Sequence, residues 1–102
     1  MTHKVIFRRR AEARLTELYD YIAAQSSPDV AINYIRRIRT SCLALQDFPE
    51  RGTRRDDILP GLRTIGFERR VTIAFRVLKR RVEIISIAYG GRDFERELRH
   101  GK

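Results

Sequence analysis

The chain has 102 residues, 42% of them hydrophobic and 34% charged, and its 22 basic and 13 acidic side chains leave a formal net charge of +9. A chain this short supports one domain over residues 1–102, because half of it would bury too little surface to fold alone, and the apolar fraction argues against wholesale disorder. The apolar runs are only a few residues long, far short of the ~20 needed to cross a bilayer. No signal-like stretch opens the sequence, Cys42 is the lone cysteine, and His3 and His100 sit at opposite ends. An internal disulfide and a His/Cys zinc site of ordinary spacing are therefore excluded. The expectation is a soluble, cytoplasmic protein with no membrane partner, metal or cofactor.

Lys4-Val5-Ile6-Phe7-Arg8 is short and β-prone, which predicts an opening strand. From Arg9 to about Ala24, Ala11, Leu15, Leu18 and Ile22 recur at helical spacing with Tyr19 and Tyr21 beside them, predicting an amphipathic helix. The chain breaks at Gln25-Ser26-Ser27-Pro28-Asp29 and restarts as a second helix. Ser27 suits the N-cap, Pro28 the first helical position, and Asp29 the positive helix start. Ala31, Tyr34/Ile35, Ile38, Cys42 and Leu45 form the apolar face of this helix, which is expected to run to about Asp47. So short a link predicts an antiparallel helix hairpin, with Cys42 as a small core residue.

Phe48-Pro49-Glu50-Arg51-Gly52 stops the second helix, and a charged loop is expected from there to Pro60-Gly61. The period then becomes two. Leu62-Arg63-Thr64-Ile65 predicts a short strand. Val71, Ile73, Phe75 and Val77 alternate with Thr72, Ala74 and Arg76, as in a half-buried strand. Val82 to Tyr89 lacks alternation, which predicts a central strand covered on both faces, ended by Gly90-Gly91. In the tail, Phe94 and Leu98 are the possible anchors. The order β-α-α-β-β-β predicts an α+β domain of two layers, a helix hairpin packed on a curved antiparallel sheet that the first strand joins.

Nineteen of the basic residues are arginine, whose planar fork suits phosphates and carboxylates. Either the surface is simply solvated, or the partner is polyanionic. Asp56-Asp57 reads as ion-pair partners for neighbouring arginines, and Gly90-Gly91 as a strand terminator. Arg63 and Arg76 are expected to meet on the sheet face away from the helices. There they could hold a phosphodiester electrostatically, or grip an acidic partner. Tyr89 is the one titratable candidate for proton transfer on the sheet, and its ordinary pKa near ~10 suits that role poorly.

In order and spacing, several pieces together resemble the RelE/ParE superfamily of toxins from type II toxin–antitoxin systems, and within it the ParE branch. They are Val5-Ile6-Phe7, Tyr21-Ile22-Ala23, Ser27-Pro28-Asp29-Val30-Ala31, Phe48-Pro49-Glu50-Arg51-Gly52, Leu62-Arg63, Phe75-Arg76-Val77, Val82-Glu83-Ile84 and Tyr89-Gly90-Gly91-Arg92-Asp93. The resemblance implies a growth-inhibiting toxin of a plasmid-stabilisation-like system, neutralised by a cognate acidic antitoxin that wraps it with a helix and an added strand. RelE-like members cut mRNA on the ribosome, whereas ParE-like members are associated with inhibition of DNA gyrase. Thr72 stands where the nuclease-like strand arginine falls, and the downstream aromatic, Phe94, has no hydroxyl. Both departures favour a gyrase-directed binding protein over the alternative, a ribosome-dependent endoribonuclease. Arg63, Arg76, Tyr89 and Arg92 are the candidate target- or antitoxin-binding residues. A third reading is a basic nucleic-acid-binding module without toxicity.

Overall fold

The computed structural model describes residues 3–90 together with Leu98. The chain runs through β1 (Lys4–Phe7), α1 (Arg9–Gln25), α2 (Pro28–Leu43), a 3-10 turn (Ala44–Gln46), β2 (Thr53–Arg54), β3 (Leu62–Phe67), β4 (Val71–Val77) and β5 (Arg81–Tyr89). Ser27 caps α2 as its sequence predicts, its hydroxyl accepting from the Val30 N–H at 3.2 Å with Pro28 in the first turn. Ala11, Leu15 and Leu18 of α1 and Ala31, Ile35, Ile38 and Cys42 of α2 are buried. Glu12 of α1 and Arg39 of α2 tie the hairpin together outside, Nη2 to Oε1 at 2.7 Å.

The helices cover one face of a five-stranded sheet of order β1-β5-β4-β3-β2. The expected antiparallel arrangement holds from β2 to β5, but β1 lies parallel to β5, with Val5 beside Val82 and Phe7 beside Ile84, so the sheet is mixed. A strand followed by a helix hairpin re-enters the sheet layer by a crossover, and a crossover permits parallel pairing. A second difference is β2, which falls inside the predicted loop. Its two residues, Thr53 and Arg54, are polar and too few to show a period, and pairing with Thr64 and Arg63 alone defines them. Gly52 makes that pairing possible. Its φ is +83°, and a Cβ there would collide with the Thr64 carbonyl oxygen and Ile65 Cγ2.

The main core lies between helices and sheet, where Leu15, Ile38, Leu45, Ile73, Phe75 and Ile84 are almost completely buried. A smaller cluster of Ile58, Leu62, Ala74 and Leu98 covers the other face, so β5 is covered on both sides as expected. Leu98 is the tail anchor that the sequence suggested, while Phe94 and Arg92 lie outside the described residues. Between Ala74 and Phe75 the β4–β5 register shifts: Ala74 pairs with Ser86 but Phe75 with Ile84, leaving Ile85 as an extra residue. This bulge lets Ile84 and Ile87 both face the helices while Ile85 joins the opposite cluster.

Two outcomes follow from this packing. Ile38→Asp should abolish cooperative folding, because an unpaired charge at a site with no exposure costs a large share of the ~5–15 kcal/mol that holds a domain folded; circular dichroism reads the loss. Gly52→Ala should lower stability by on the order of 2 kcal/mol in thermal denaturation, whereas the exposed neighbour change Glu50→Ala should stay within ~0.5 kcal/mol.

Candidate functional site

The sheet face away from the helices carries a buried carboxylate. The bulge at Ile85 turns Glu83 out of the main core, and the register pairs it with Arg76. The Glu83 side chain is only 7% exposed and is surrounded by guanidinium groups. Arg81 Nε donates to Oε2 at 2.9 Å, Arg8 Nη1 to Oε1 at 3.1 Å, and Arg76 Nη2 to Oε1 at 3.5 Å. Burial alone would raise the Glu83 carboxyl. The hydrogen bonds from Arg81 and Arg8 outweigh it and hold the group below its ordinary range. Arg76 Nε is buried without a partner among the described residues.

Beside this cluster runs a groove of about 580 Å³. Its floor is aliphatic, made by Leu59, Leu62, Ile85 and Leu98, and its rim is Arg8, Arg9, Arg10 and Arg76. The three consecutive arginines stand where β1 turns into α1, whose N-cap Arg8 makes no side-chain cap. Positive side chains therefore crowd the positive end of a helix dipole, an arrangement that favours an anionic visitor.

The expected meeting of Arg63 and Arg76 does not occur. Directly paired residues share a face of a sheet, and Arg63 pairs with Phe75 whereas Arg76 pairs with Leu62. Arg63 is thus on the helix-side face, half-buried, near the β2 ion pairs. There Arg54 and Asp56 pair at 3.0 Å and Arg55 and Asp57 at 2.9 Å. The Asp56 carboxyl is held below its ordinary range by Arg54 first, then by the Gly61 N–H, with the Arg63 charge adding to both.

Tyr89 also lies on the helix side, at the far end of the sheet, in an aromatic cluster. Its ring centroid is 5.8 Å from Tyr21 and 6.4 Å from Tyr34, and Tyr34 meets Phe67 edge-on at 5.7 Å. Burial raises the Tyr34 hydroxyl, and the neighbouring Tyr89 and Glu68 raise it further. Cys42 is fully buried and its thiol is pushed up to about 12 by burial, in keeping with a packing role. Among the described residues no His, Cys, Asp or Glu group is placed to hold a metal ion, and no helix is long and apolar enough to cross a membrane.

A family model described as the ParE toxin of the type II toxin–antitoxin system parDE matches residues 5–94. The chain belongs to the ParE toxin family. Among solved structures it is similar to a chromosomal ParDE toxin–antitoxin system from P. aeruginosa. The identity is 27% and the TM-score 0.76, over 87% of this chain and 97% of that one. No curated protein matches the chain.

In this ParE toxin the sequence pointed to Arg76 but not to its partner. Glu83 was legible in one respect, since a lone carboxylate inside the apolar run Val82–Tyr89 requires cationic company. The groove arginines carried a weaker signal, three consecutive arginines at a strand–helix junction. Glu83→Gln should lower stability by on the order of 1–2 kcal/mol, since three half-exposed arginines lose an ionised acceptor. Because the folded Glu83 titrates below its ordinary value, its contribution is present above that value and is lost as pH falls through the folded one. Acid titration of melting temperature should thus fall more steeply in the native chain than in Glu83→Gln.

Proposed function

We propose that this ParE toxin arrests growth by binding DNA gyrase, as an inhibitory binding protein and not as a self-sufficient enzyme, and that a cognate antitoxin neutralises it through an acidic segment. The observation that carries this reading is the separation of Arg76 from Tyr89. Cleavage of a phosphodiester needs a charge stabiliser and a proton-transfer group within reach of one phosphate. Here Arg76 is on the sheet face away from the helices, engaged by Glu83, and Tyr89 is among aromatic rings on the helix side. Thr72, on the same face as Arg76, supplies no charge.

The groove supports the antitoxin part of the reading. Aliphatic floor and arginine rim together match an amphipathic acidic segment, whose apolar side chains would cover Leu59, Leu62 and Ile85 while its carboxylates meet Arg8 to Arg10. The net charge of +9 predicts the same sign of partner and a salt-weakened association.

The purified toxin should block supercoiling of relaxed plasmid by gyrase and leave mRNA intact on programmed ribosomes. Cleavage of mRNA in the ribosomal A site, abolished by Arg76→Ala or Tyr89→Phe, would overturn this assignment in favour of a ribosome-dependent endoribonuclease.

A further inference from the structure

The end of the molecule formed by the β3–β4 hairpin has no role in the reading above, yet three features converge there. The first is a backbone outlier. Glu68 and Arg69 at the tip have φ of 49° and 65°, and two consecutive non-glycine residues in the left-handed region are uncommon. The second is the device that holds this turn. Arg37 of α2 donates to both Glu68 carboxylate oxygens, at 3.1 and 3.0 Å, and its guanidinium lies 5.2 Å from the Tyr34 ring centroid. Glu68 is thereby neutralised, while Arg69 and Arg70 beside it are exposed and form no ion pair among the described residues.

The third feature is aromatic. Tyr89 pairs directly with Val71, and the Gly90 N–H donates to the Arg70 carbonyl at 2.7 Å, so the tyrosines adjoin the basic tip. Tyr21 packs against Tyr89 but remains 53% exposed, so one side of its ring is open to a ligand. It borders a cleft of about 200 Å³ whose apolar wall includes Leu18 and Ile87.

We propose that this end of the toxin binds single-stranded nucleic acid, with phosphates on Arg69 and Arg70 and a base against Tyr21. Uncompensated guanidinium groups track a phosphate backbone, and exposed rings stack bases without regard to sequence. An acidic peptide would satisfy the arginines but leave Tyr21 unused, and the cleft has room for a single flat ring system and not for a helix. A duplex keeps its bases stacked inside and cannot reach the ring. The pairing of Glu68 with Arg37 takes the one carboxylate of the turn away from Arg69 and Arg70, leaving their charge to the ligand.

The probe is a fluorescein-labelled oligothymidylate, titrated with purified toxin at several salt concentrations and read by fluorescence anisotropy. Arg69→Ala/Arg70→Ala should flatten the slope of log affinity against log salt by about 1.4, corresponding to two lost phosphate contacts at ~0.7 each. Tyr21→Ala should weaken binding roughly tenfold without changing that slope, and Tyr21→Phe, which keeps the ring, should bind as the native chain does. Lys79→Ala/Arg80→Ala removes the same charge at the opposite end of β4, from exposed positions, and should leave the slope unchanged. Equal slopes for the two double variants would overturn the proposal, as would an inert Tyr21→Ala. Competition by duplex DNA or polyglutamate as effective as by unlabelled oligothymidylate would do the same.

Discussion

A single extra residue in β5 organises this toxin. In a strand, alternate side chains face opposite ways, so an uninterrupted β5 with Ile87 toward the helices would also send Ile85 and Glu83 there. A carboxylate would then lie in the apolar layer beside Phe75. The bulge at Ile85 reverses the parity below it: Ile84 and Val82 enter the core and Glu83 emerges among Arg8, Arg76 and Arg81. The same inserted residue supplies part of the groove floor. Core composition, the polar cluster and the shape of the groove thus depend on one local irregularity.

The basic surface is less uniform than its net charge suggests. Arg39 is paired with Glu12, Arg37 with Glu68, Arg54 with Asp56 and Arg55 with Asp57, and three arginines share Glu83. The first four pairs, at the surface, contribute little to stability, typically ~0–1 kcal/mol each. Their effect is spatial. By neutralising Glu68 beside Arg69 and Arg70, and by gathering Arg8, Arg76 and Arg81 around one carboxylate, they divide a charged chain into a groove rim at one end of the sheet and a hairpin tip at the other.

The elements with long, consistent periodicity were legible from sequence. The apolar stripes of α1 and α2, the Ser27-Pro28 start, the alternation of β4 and the dense run of β5 each reflect burial on a regular lattice. The rest was set by events that leave no period. Two-residue β2 exists through the close approach at Gly52, and the parallel placement of β1 depends on a crossover. The bulge decides which face Glu83 occupies. The candidate residues suffered most from this. Arg63 and Arg76 lie on adjacent strands, and only the pairing register shows that they face opposite ways. Tyr89 is on the sheet as expected, but on the helix side with Tyr21 and Tyr34.

The parallel pairing of β1 with β5 has a consequence for biogenesis. Among the described strands, β1 is made first, and its one sheet neighbour, β5, is made last. Until Tyr89 has left the exit tunnel, the helix hairpin can form by local contacts, but its apolar face has no complete sheet to cover. Closing so distant a contact is entropically costly and slow compared with local structure. The groove, whose floor includes Ile85 of β5, therefore takes shape only after β5 has been made. A chain truncated before β5 lacks Glu83 and Ile85, and with them the carboxylate that gathers Arg8 and Arg76 and part of the groove floor.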